Sequence, residues 1–238
     1  MRALAKLTLS LRVVGRRDDG YHLLDAEMVT IDLADTLTLA AGDDLTVIGP
    51  AAAGVPTDDT NLVRRALRSV GRTAAVRLTK RIPAGGGLGG GSADAAAVLR
   101  WARCDDIAAA ARLGADVPFC LVGGRARVTG VGEVIEPLSP DDAAYTLVIP
   151  PLSVSTVAAY RAWDDLGGPR ADGPNDLEPA ALTVEPRLAR WRDRLAEAAG
   201  RRPTLAGSGA TWFVEGSHPD VAEALPDATV AMARTDRP

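Results

Sequence analysis

The stretch Pro83-Ala84-Gly85-Gly86-Gly87-Leu88-Gly89-Gly90-Gly91-Ser92-Ala93-Asp94-Ala95-Ala96-Ala97 carries the strongest structural signal in this chain. Six of its first nine residues are glycine, and an alanine-rich run follows directly. Glycine adopts positive φ and lets a ligand approach closely, so such a loop can turn several N–H groups toward an anion. We predict a helix over 92–103, because this run holds strong helix formers and no Gly or Pro. The loop and the unpaired N–H groups of the first helical turn would together bind phosphate.

Two common nucleotide motifs fit this loop poorly. A P-loop needs a lysine after its last glycine, and here Ser92 follows Gly91. The spacing of Gly85, Gly87 and Gly90 satisfies G-x-G-x-x-G, but so glycine-rich a run satisfies it almost automatically. No acidic residue follows about twenty positions on in a βαβ unit, as a dinucleotide site requires. A flexible surface linker is the other alternative, although linkers rarely continue into a helix-forming run.

The composition favours a globular protein with one large or two modest domains. The chain has 238 residues, of which 47% are hydrophobic, and a net charge of −4 that gives no basic surface for nucleic acid. Cys104 and Cys120 are its only cysteines, and they have neither metal-type nor C-x-x-C spacing. The sequence also lacks an apolar signal segment and any run of about eighteen apolar residues. We therefore expect a reduced, cytoplasmic protein that does not contact the membrane.

Lysine is conspicuous because the chain otherwise uses arginine. The only lysines are Lys6 and Lys80. A lysine in such a chain indicates a need for a compact point charge. Alternatively, Lys80 has no special role and its lysine is retained by chance. Lys6 could likewise be an exposed strand residue, although it lies within an apolar strand pattern.

Hydrophobic periodicity predicts a mixture of strands and helices. The predicted strands cover 3–14, 28–33, 35–40, 44–48, 74–80, 126–129, 133–137, 146–149 and 211–214. The predicted helices cover 61–70, 92–103, 107–113, 155–163 and 186–199, with a further helix opening at 175–177 and a last helix and strand within 221–230. We predict a break in the pattern at 114–119. A compositional shift at 137–143 predicts a domain boundary, which divides the chain into 1–140 and 141–238.

Six stretches in this order resemble the motifs of the GHMP kinase superfamily. They are Ala5-Lys6-Leu7, Gly15 to His22, Thr30 to Leu37, Arg81 to Ala96, Leu113 to Phe119, and Ala206-Gly207-Ser208-Gly209-Ala210. The glycine-rich stretch by itself is sufficient to indicate the superfamily but not a branch of it. Gly20-Tyr21-His22 together with Gly114 to Phe119 narrows the resemblance to the branch whose substrate carries a cytidine diphosphate.

This resemblance implies both a fold and a reaction. The fold is α+β, a two-domain GHMP kinase fold with a ribosomal protein S5 domain 2-like N-terminal domain and a ferredoxin-like C-terminal domain. The reaction is ATP-dependent phosphorylation, with Mg²⁺, of a hydroxyl on the methylerythritol moiety of a cytidine-diphosphate substrate in non-mevalonate isoprenoid precursor synthesis. Nucleotide and substrate would meet in the cleft between the domains. The implied partner is a small molecule, with no nucleic acid and no membrane.

The resemblance also assigns roles to individual residues. The implied catalytic residues are Lys6 and Asp116. The implied ATP-binding residues are Asn61, Pro83, Ala84, Gly85, Gly86, Gly87, Leu88, Gly89, Gly90, Gly91 and Ser92, with the Ser92 hydroxyl as a candidate Mg²⁺ ligand. The implied substrate-binding residues are Thr8, Tyr21, His22, Tyr160, Gly207, Ser208 and Gly209.

Several of these residues have a plainer interpretation. Ser92 is a natural helix N-cap, and Asp116 in Gly-Ala-Asp-Val-Pro is a natural turn or helix cap. Tyr21 could pack in a core and His22 could be structural. Thr8 departs from the family pattern, which has Asn two residues after the lysine, and a hydroxyl lacks the paired donor and acceptor of an amide.

Three functions remain compatible with these residues. The first is the kinase for a cytidine-diphosphate substrate, which alone needs Tyr21 and His22. The second is another small-molecule kinase of the superfamily, of the mevalonate or homoserine type. The third is a non-catalytic nucleotide-binding paralogue. Thr8, together with a segment before Leu113 that is shorter than the family pattern, favours the third hypothesis. The presence of both Lys6 and Asp116 opposes it.

Overall fold

The computed structural model describes residues 1–237, which fold into two sheets flanked by helices. The strands are β1 (Arg2–Arg16), β2 (His22–Ala40), β3 (Leu45–Ile48), β4 (Ala75–Thr79), β5 (Arg125–Gly130), β6 (Val134–Pro137), β7 (Ala144–Ile149), β8 (Thr204–Leu205), β9 (Trp212–Glu215) and β10 (Thr229–Arg234). The helices are α1 (Leu62–Ser69), α2 (Gly90–Trp101), α3 (Ile107–Leu113), α4 (Val117–Val122), α5 (Thr156–Asp165), α6 (Glu178–Val184), α7 (Leu188–Ala199) and α8 (Val221–Ala224). The predicted α+β class is confirmed.

The first sheet is built around β2. Its strand order is β3-β4-β2-β5-β6, with β1 also paired to β2, and every pair except β3–β4 is antiparallel. We predicted two separate strands where β2 runs continuously. The strand stays unbroken because partners cover its whole length: 24–29 pair with β5, 36–40 pair with β4, and β1 pairs along 22–36, which spans the interval between them.

Helix α2 is the buried helix of this first half. Its residues from Ala93 to Leu99 are all buried and belong to the N-terminal core, apart from the acidic Asp94. Alanine has a high helix propensity and a small volume, so this segment can form a helix that packs closely on β1 and β2. The start of α2 is thereby fixed against the strand that carries Lys6.

Helix α4 was not predicted from the sequence. We expected 114–119, which contains Pro118, to interrupt the pattern. The helix starts at Val117, so the proline lies in its first turn, where its missing N–H has no helical partner to lose. Asp116 occupies the N-cap position but makes no capping hydrogen bond with its side chain. The carboxylate therefore remains free for other contacts.

The second sheet lies in the C-terminal part of the chain. It is antiparallel in the order β10-β7-β9-β8 and packs with α5 to α8 around a separate hydrophobic cluster. A third cluster joins the two sheets, with Leu7 and Ile31 from the first and Leu147 and Phe213 from the second. Strands of the first sheet all precede residue 138 and those of the second all follow 143, on either side of the predicted boundary. The division into two domains stays a prediction.

No helix within residues 1–237 has the length and apolar character needed to cross a bilayer.

Candidate active site

One cavity of about 850 Å³ is lined by the first sheet, the glycine-rich stretch, helix α5 and the loop at 207–209. This volume falls in the range of small-molecule sites. Nearly all of the candidate site residues named from the sequence line it: Lys6, Thr8, Tyr21, His22, Pro83 to Ser92, Asp116, Tyr160, Gly207, Ser208 and Gly209. Residues far apart in the sequence thus share one compartment.

Asn61 is the exception among the predicted residues. It is absent from the cavity lining, although its neighbour Leu62 is present. The side chain of Asn61 caps α1: its Oδ1 accepts from Val63 N at 2.8 Å and its Nδ2 donates to Pro56 O at 2.6 Å. The structure therefore does not support the predicted contact with adenine, because the amide is occupied by local backbone groups.

The glycine loop, residues 85–91, forms one wall of the cavity. It is held to a second segment, the small-residue loop (residues 206–210), because Ala210 N donates to Gly85 O at 3.2 Å. Gly87 has φ +78°, and a Cβ added there would lie 2.0 Å from Ala206 O. The two loops are in such close contact that only glycine fits at this point.

The glycine loop leads into the N-terminus of α2. The N-cap is Gly89, in the left-handed conformation, and no side chain caps the helix. The N–H groups of the first turn are therefore left for a ligand, with the positive end of the helix dipole behind them. Ser92 lies in that first turn and lines the cavity, so its interpretation as the N-cap is wrong. An anion is the ligand this arrangement favours.

Lys6 and Asp116 meet beside the glycine loop. Lys6 Nζ lies 3.4 Å from Asp116 Oδ2 and donates to Thr8 Oγ1 at 3.0 Å. The lysine is only 4% exposed, which rules out a solvent-facing strand position, and its aliphatic part packs on Gly89. Asp116 is about one-third exposed and faces the cavity. A hydroxyl-bearing molecule in the cavity could reach both charges.

The small-residue loop is fixed by a buried amide that sequence reasoning missed. Asn175 is 1% exposed, and its Nδ2 donates to Leu205 O at 2.8 Å and to Gly207 O at 2.6 Å. A Cβ on Gly207 would lie 3.3 Å from Lys6 Nζ, so this loop borders the ion pair. We had assigned Asn175 only to the opening of a helix. The available signal was a polar pair, Asn-Asp, directly after a proline.

The far end of the cavity is aromatic. Tyr21 is 63% exposed, so its alternative role in core packing is wrong. His22 stacks on Tyr160 with ring centroids 4.8 Å apart, and the Trp163 ring lies perpendicular to it with centroids 5.5 Å apart. Burial raises the pKa of Tyr160 above its ordinary value, so its hydroxyl stays protonated further into the alkaline range. A flat heterocycle could bind against this surface.

His22 is oriented by a carboxylate that the sequence did not reveal. Its Nε2 lies 2.8 Å from Asp164 Oδ1, and Arg16 approaches the other oxygen of Asp164 at 3.5 Å. If His22 is neutral and donates from Nε2, its Nδ1 is left as an acceptor. Asp164 comes from α5, and no pattern in the sequence connects it with Tyr21 and His22.

Beneath the glycine loop lies the buried triad: Lys80, Asp35 and Asp94. The Lys80 ammonium contacts Asp35 Oδ2 and lies 2.8 Å from Asp94 Oδ2. All three side chains are almost completely buried. Burial raises the pKa of Asp94 to about 7, against the opposing attraction of Lys80. The structure thus gives Lys80 the compact-charge role inferred for it, with two carboxylates that we had not identified.

Comparison with known proteins identifies the relatives of this chain. The family model described as GHMP kinases N terminal domain matches residues 61–124. The 4-diphosphocytidyl-2-C-methyl-D-erythritol kinase of Cereibacter sphaeroides is 41% identical over 241 residues, covering 89% of this chain and 87% of the relative. A crystal structure of 4-(cytidine 5'-diphospho)-2C-methyl-D-erythritol kinase is 33% identical, with a TM-score of 0.78 and 98% coverage of both chains. The mevalonate kinase of Methanococcus jannaschii shares only the fold, with 12% identity and a TM-score of 0.59 over 100% of this chain and 98% of that one.

Proposed function

This chain belongs to the 4-diphosphocytidyl-2-C-methyl-D-erythritol kinases of the GHMP kinase family, and from that membership we propose that it transfers the γ-phosphate of ATP to a hydroxyl of 4-diphosphocytidyl-2-C-methyl-D-erythritol. The reaction is a step of non-mevalonate isoprenoid precursor synthesis. The observation that carries the proposal is the single cavity in which the Lys6–Asp116 pair lies against the glycine loop.

The glycine loop and the start of α2 bind the triphosphate in this proposal. Uncapped N–H groups at a helix N-terminus donate to phosphate oxygens, and the helix dipole favours their negative charge. Backbone donors fixed by contacts with the small-residue loop need little reorganisation when charge develops. Phosphoryl transfer depends mainly on such positioning and charge stabilisation.

Lys6 and Asp116 act on the hydroxyl that receives the phosphate. The hydroxyl oxygen forms a bond to the γ-phosphorus, the bond to the β–γ bridging oxygen breaks, and ADP leaves. The hydroxyl proton passes to the Asp116 carboxylate, while the Lys6 ammonium balances charge on the carboxylate and the phosphate. Thr8 holds Lys6 in place through its 3.0 Å hydrogen bond, a role that does not need the amide usual at this position.

The aromatic end of the cavity binds the cytidine part of the substrate. Tyr21 offers an exposed ring for stacking, and Tyr160 contributes a second ring on which His22 already lies. The His22 edge provides hydrogen bonding, in an orientation set by Asp164. A mevalonate or homoserine substrate has no flat heterocycle and would leave this surface unused.

Mg²⁺ accompanies ATP in this proposal. This ion takes oxygen ligands, keeps several waters, and usually binds through substrate phosphates plus one or two protein groups. The Ser92 hydroxyl fits as such a group, because it lies in the first turn of α2 and lines the cavity. The ion would supply charge neutralisation of the phosphates, and Ser92 would hold it beside the glycine loop.

We extend the proposal to the organisation and location of the protein. Separate hydrophobic clusters around the two sheets support an N-terminal domain over 1–140 and a C-terminal domain over 141–238. Cys104 and Cys120 are both free thiols, which supports a reduced, cytoplasmic environment.

A coupled assay of ADP release tests the proposed function. The protein is supplied with ATP, Mg²⁺ and one acceptor at a time: 4-diphosphocytidyl-2-C-methyl-D-erythritol, mevalonate or homoserine. The proposal expects turnover with the first acceptor alone. Turnover with mevalonate or homoserine would reassign the substrate, and nucleotide binding without turnover on any acceptor would indicate a non-catalytic paralogue.

A further inference from the structure

We propose that Lys80 and Asp94 are positioning residues for the glycine loop: the Lys80 ammonium joins the strand that enters the loop to the helix that leaves it. The inference deepens the proposed function, because it concerns how the triphosphate site keeps its shape. Neither residue lines the cavity. Their effect on nucleotide binding would therefore pass entirely through the backbone of the glycine loop.

The entrance of the loop is held by Asp35. Its Oδ1 accepts the N–H groups of Arg81 at 2.5 Å and Ile82 at 2.9 Å, the two residues that lead from β4 toward the loop. Its Oδ2 accepts a hydrogen bond from Lys80. One carboxylate therefore fixes both the ammonium and the backbone direction at the entrance.

The exit of the loop is held by Asp94. This residue lies in the second turn of α2, and its Oδ2 accepts from Lys80 Nζ at 2.8 Å. A Cβ added to Gly90 would lie 3.1 Å from Lys80 Nζ and 2.9 Å from Ile82 Cγ2, so the first turn of α2 rests directly on the ammonium. The two ends of the loop are thus joined through a single buried atom.

A glycine-rich loop needs such a constraint more than an ordinary loop does. Gly85, Gly87 and Gly89 all have positive φ, and glycine has more backbone freedom to lose on ordering than any other residue. Burying three ionisable groups together is costly, and replacing buried ion pairs by apolar residues is often neutral or stabilising. Stability alone does not account for the triad, whereas a fixed spacing between loop ends does.

Calorimetric titration with a non-hydrolysable ATP analogue tests this inference without turnover. Asp94→Ala breaks the connection at the exit but leaves Lys80 paired with Asp35, so no buried charge is left without a partner. We expect its dissociation constant for the analogue to rise about tenfold, less than the loss of about 100-fold that a 1 Å misplacement can cause, because Asp35 still holds the entrance of the loop. Asp94→Asn retains an oxygen acceptor for Lys80 and should restore most of the affinity. Affinity for the cytidine substrate should be unchanged in both variants.

A matched control separates positioning from general loss of stability. Leu195→Ala removes a buried side chain of α7 from the C-terminal cluster, which contains no residue of the glycine loop, and should lower the melting temperature without changing nucleotide affinity. If folded Asp94→Ala binds the analogue as tightly as the wild type, or if Asp94→Asn is as impaired as Asp94→Ala, the inference is overturned. If the wild type itself binds no ATP analogue, the proposed function fails first.

Discussion

Replacing Gly87 by alanine tests the contact between the two loops of the site. A Cβ at this position would lie 2.0 Å from Ala206 O, and side chains essentially never approach closer than 3.0 Å. The glycine loop and the small-residue loop must therefore separate by about 1 Å, a displacement that can lower catalysis by about 100-fold. The left-handed backbone adds about 1–2 kcal/mol of strain for any residue with a side chain.

Gly54→Ala is the matched control for that backbone strain. Gly54 has φ +74°, close to the +78° of Gly87, but a Cβ added there meets nothing within 4 Å. Both variants should lose similar amounts of stability from strain, measured by thermal unfolding. Only Gly87→Ala should lose about 100-fold in kcat/KM, measured by ADP release. A kcat/KM near the wild-type value in folded Gly87→Ala would refute the idea that contact between the loops sets the geometry of the site.

Three further predictions follow from other parts of the molecule. Tyr21→Ala should raise KM for the cytidine substrate with little change in kcat, since the exposed ring contributes stacking alone; an unchanged KM would reject that role. Asn175→Ala should lower kcat/KM by about tenfold, because it removes the hydrogen bonds to Gly207 in the small-residue loop and to Leu205 just before it, whereas an undiminished rate would show that the loop holds its shape unaided. Burial raises the pKa of Glu178, so the folded protein holds a proton that the unfolded chain releases. Stability measured in urea should therefore decrease as pH rises from the unfolded pKa through the folded one, and Glu178→Gln should lack this decrease.

The sequence predicted most of the secondary structure because hydrophobic periodicity reports which face of an element is buried. The strand at β1 and the helix α3 agree closely with the structure. Helix α4 was missed because the segment 114–119 breaks the hydrophobic periodicity, although its Pro118 is tolerated in the first turn of a helix. The continuity of β2 depends on partners that are distant in sequence, and local patterns carry no information about them.

The cavity lining could be predicted because its residues lie in short motifs, whereas the residues that support them could not. Lys6 and Asp116 were named from such motifs, and the structure brings them to 3.4 Å. Asp164, Asn175 and Asp94 act on residues outside their own elements, and their local sequence does not identify those partners, although the Asn-Asp pair after Pro174 marks Asn175 as unusual. Supporting residues of this kind become visible only when tertiary contacts are known.

The most direct test of the Lys6–Asp116 pair is the turnover of Asp116→Ala with ATP and the cytidine substrate, measured together with its affinity for ATP. Removal of a proton acceptor that contacts the reacting hydroxyl should lower kcat by about 100-fold or more. ATP affinity should stay close to the wild-type value, because the proposed triphosphate site is the glycine loop and the uncapped start of α2. A kcat equal to that of the wild type would contradict the account.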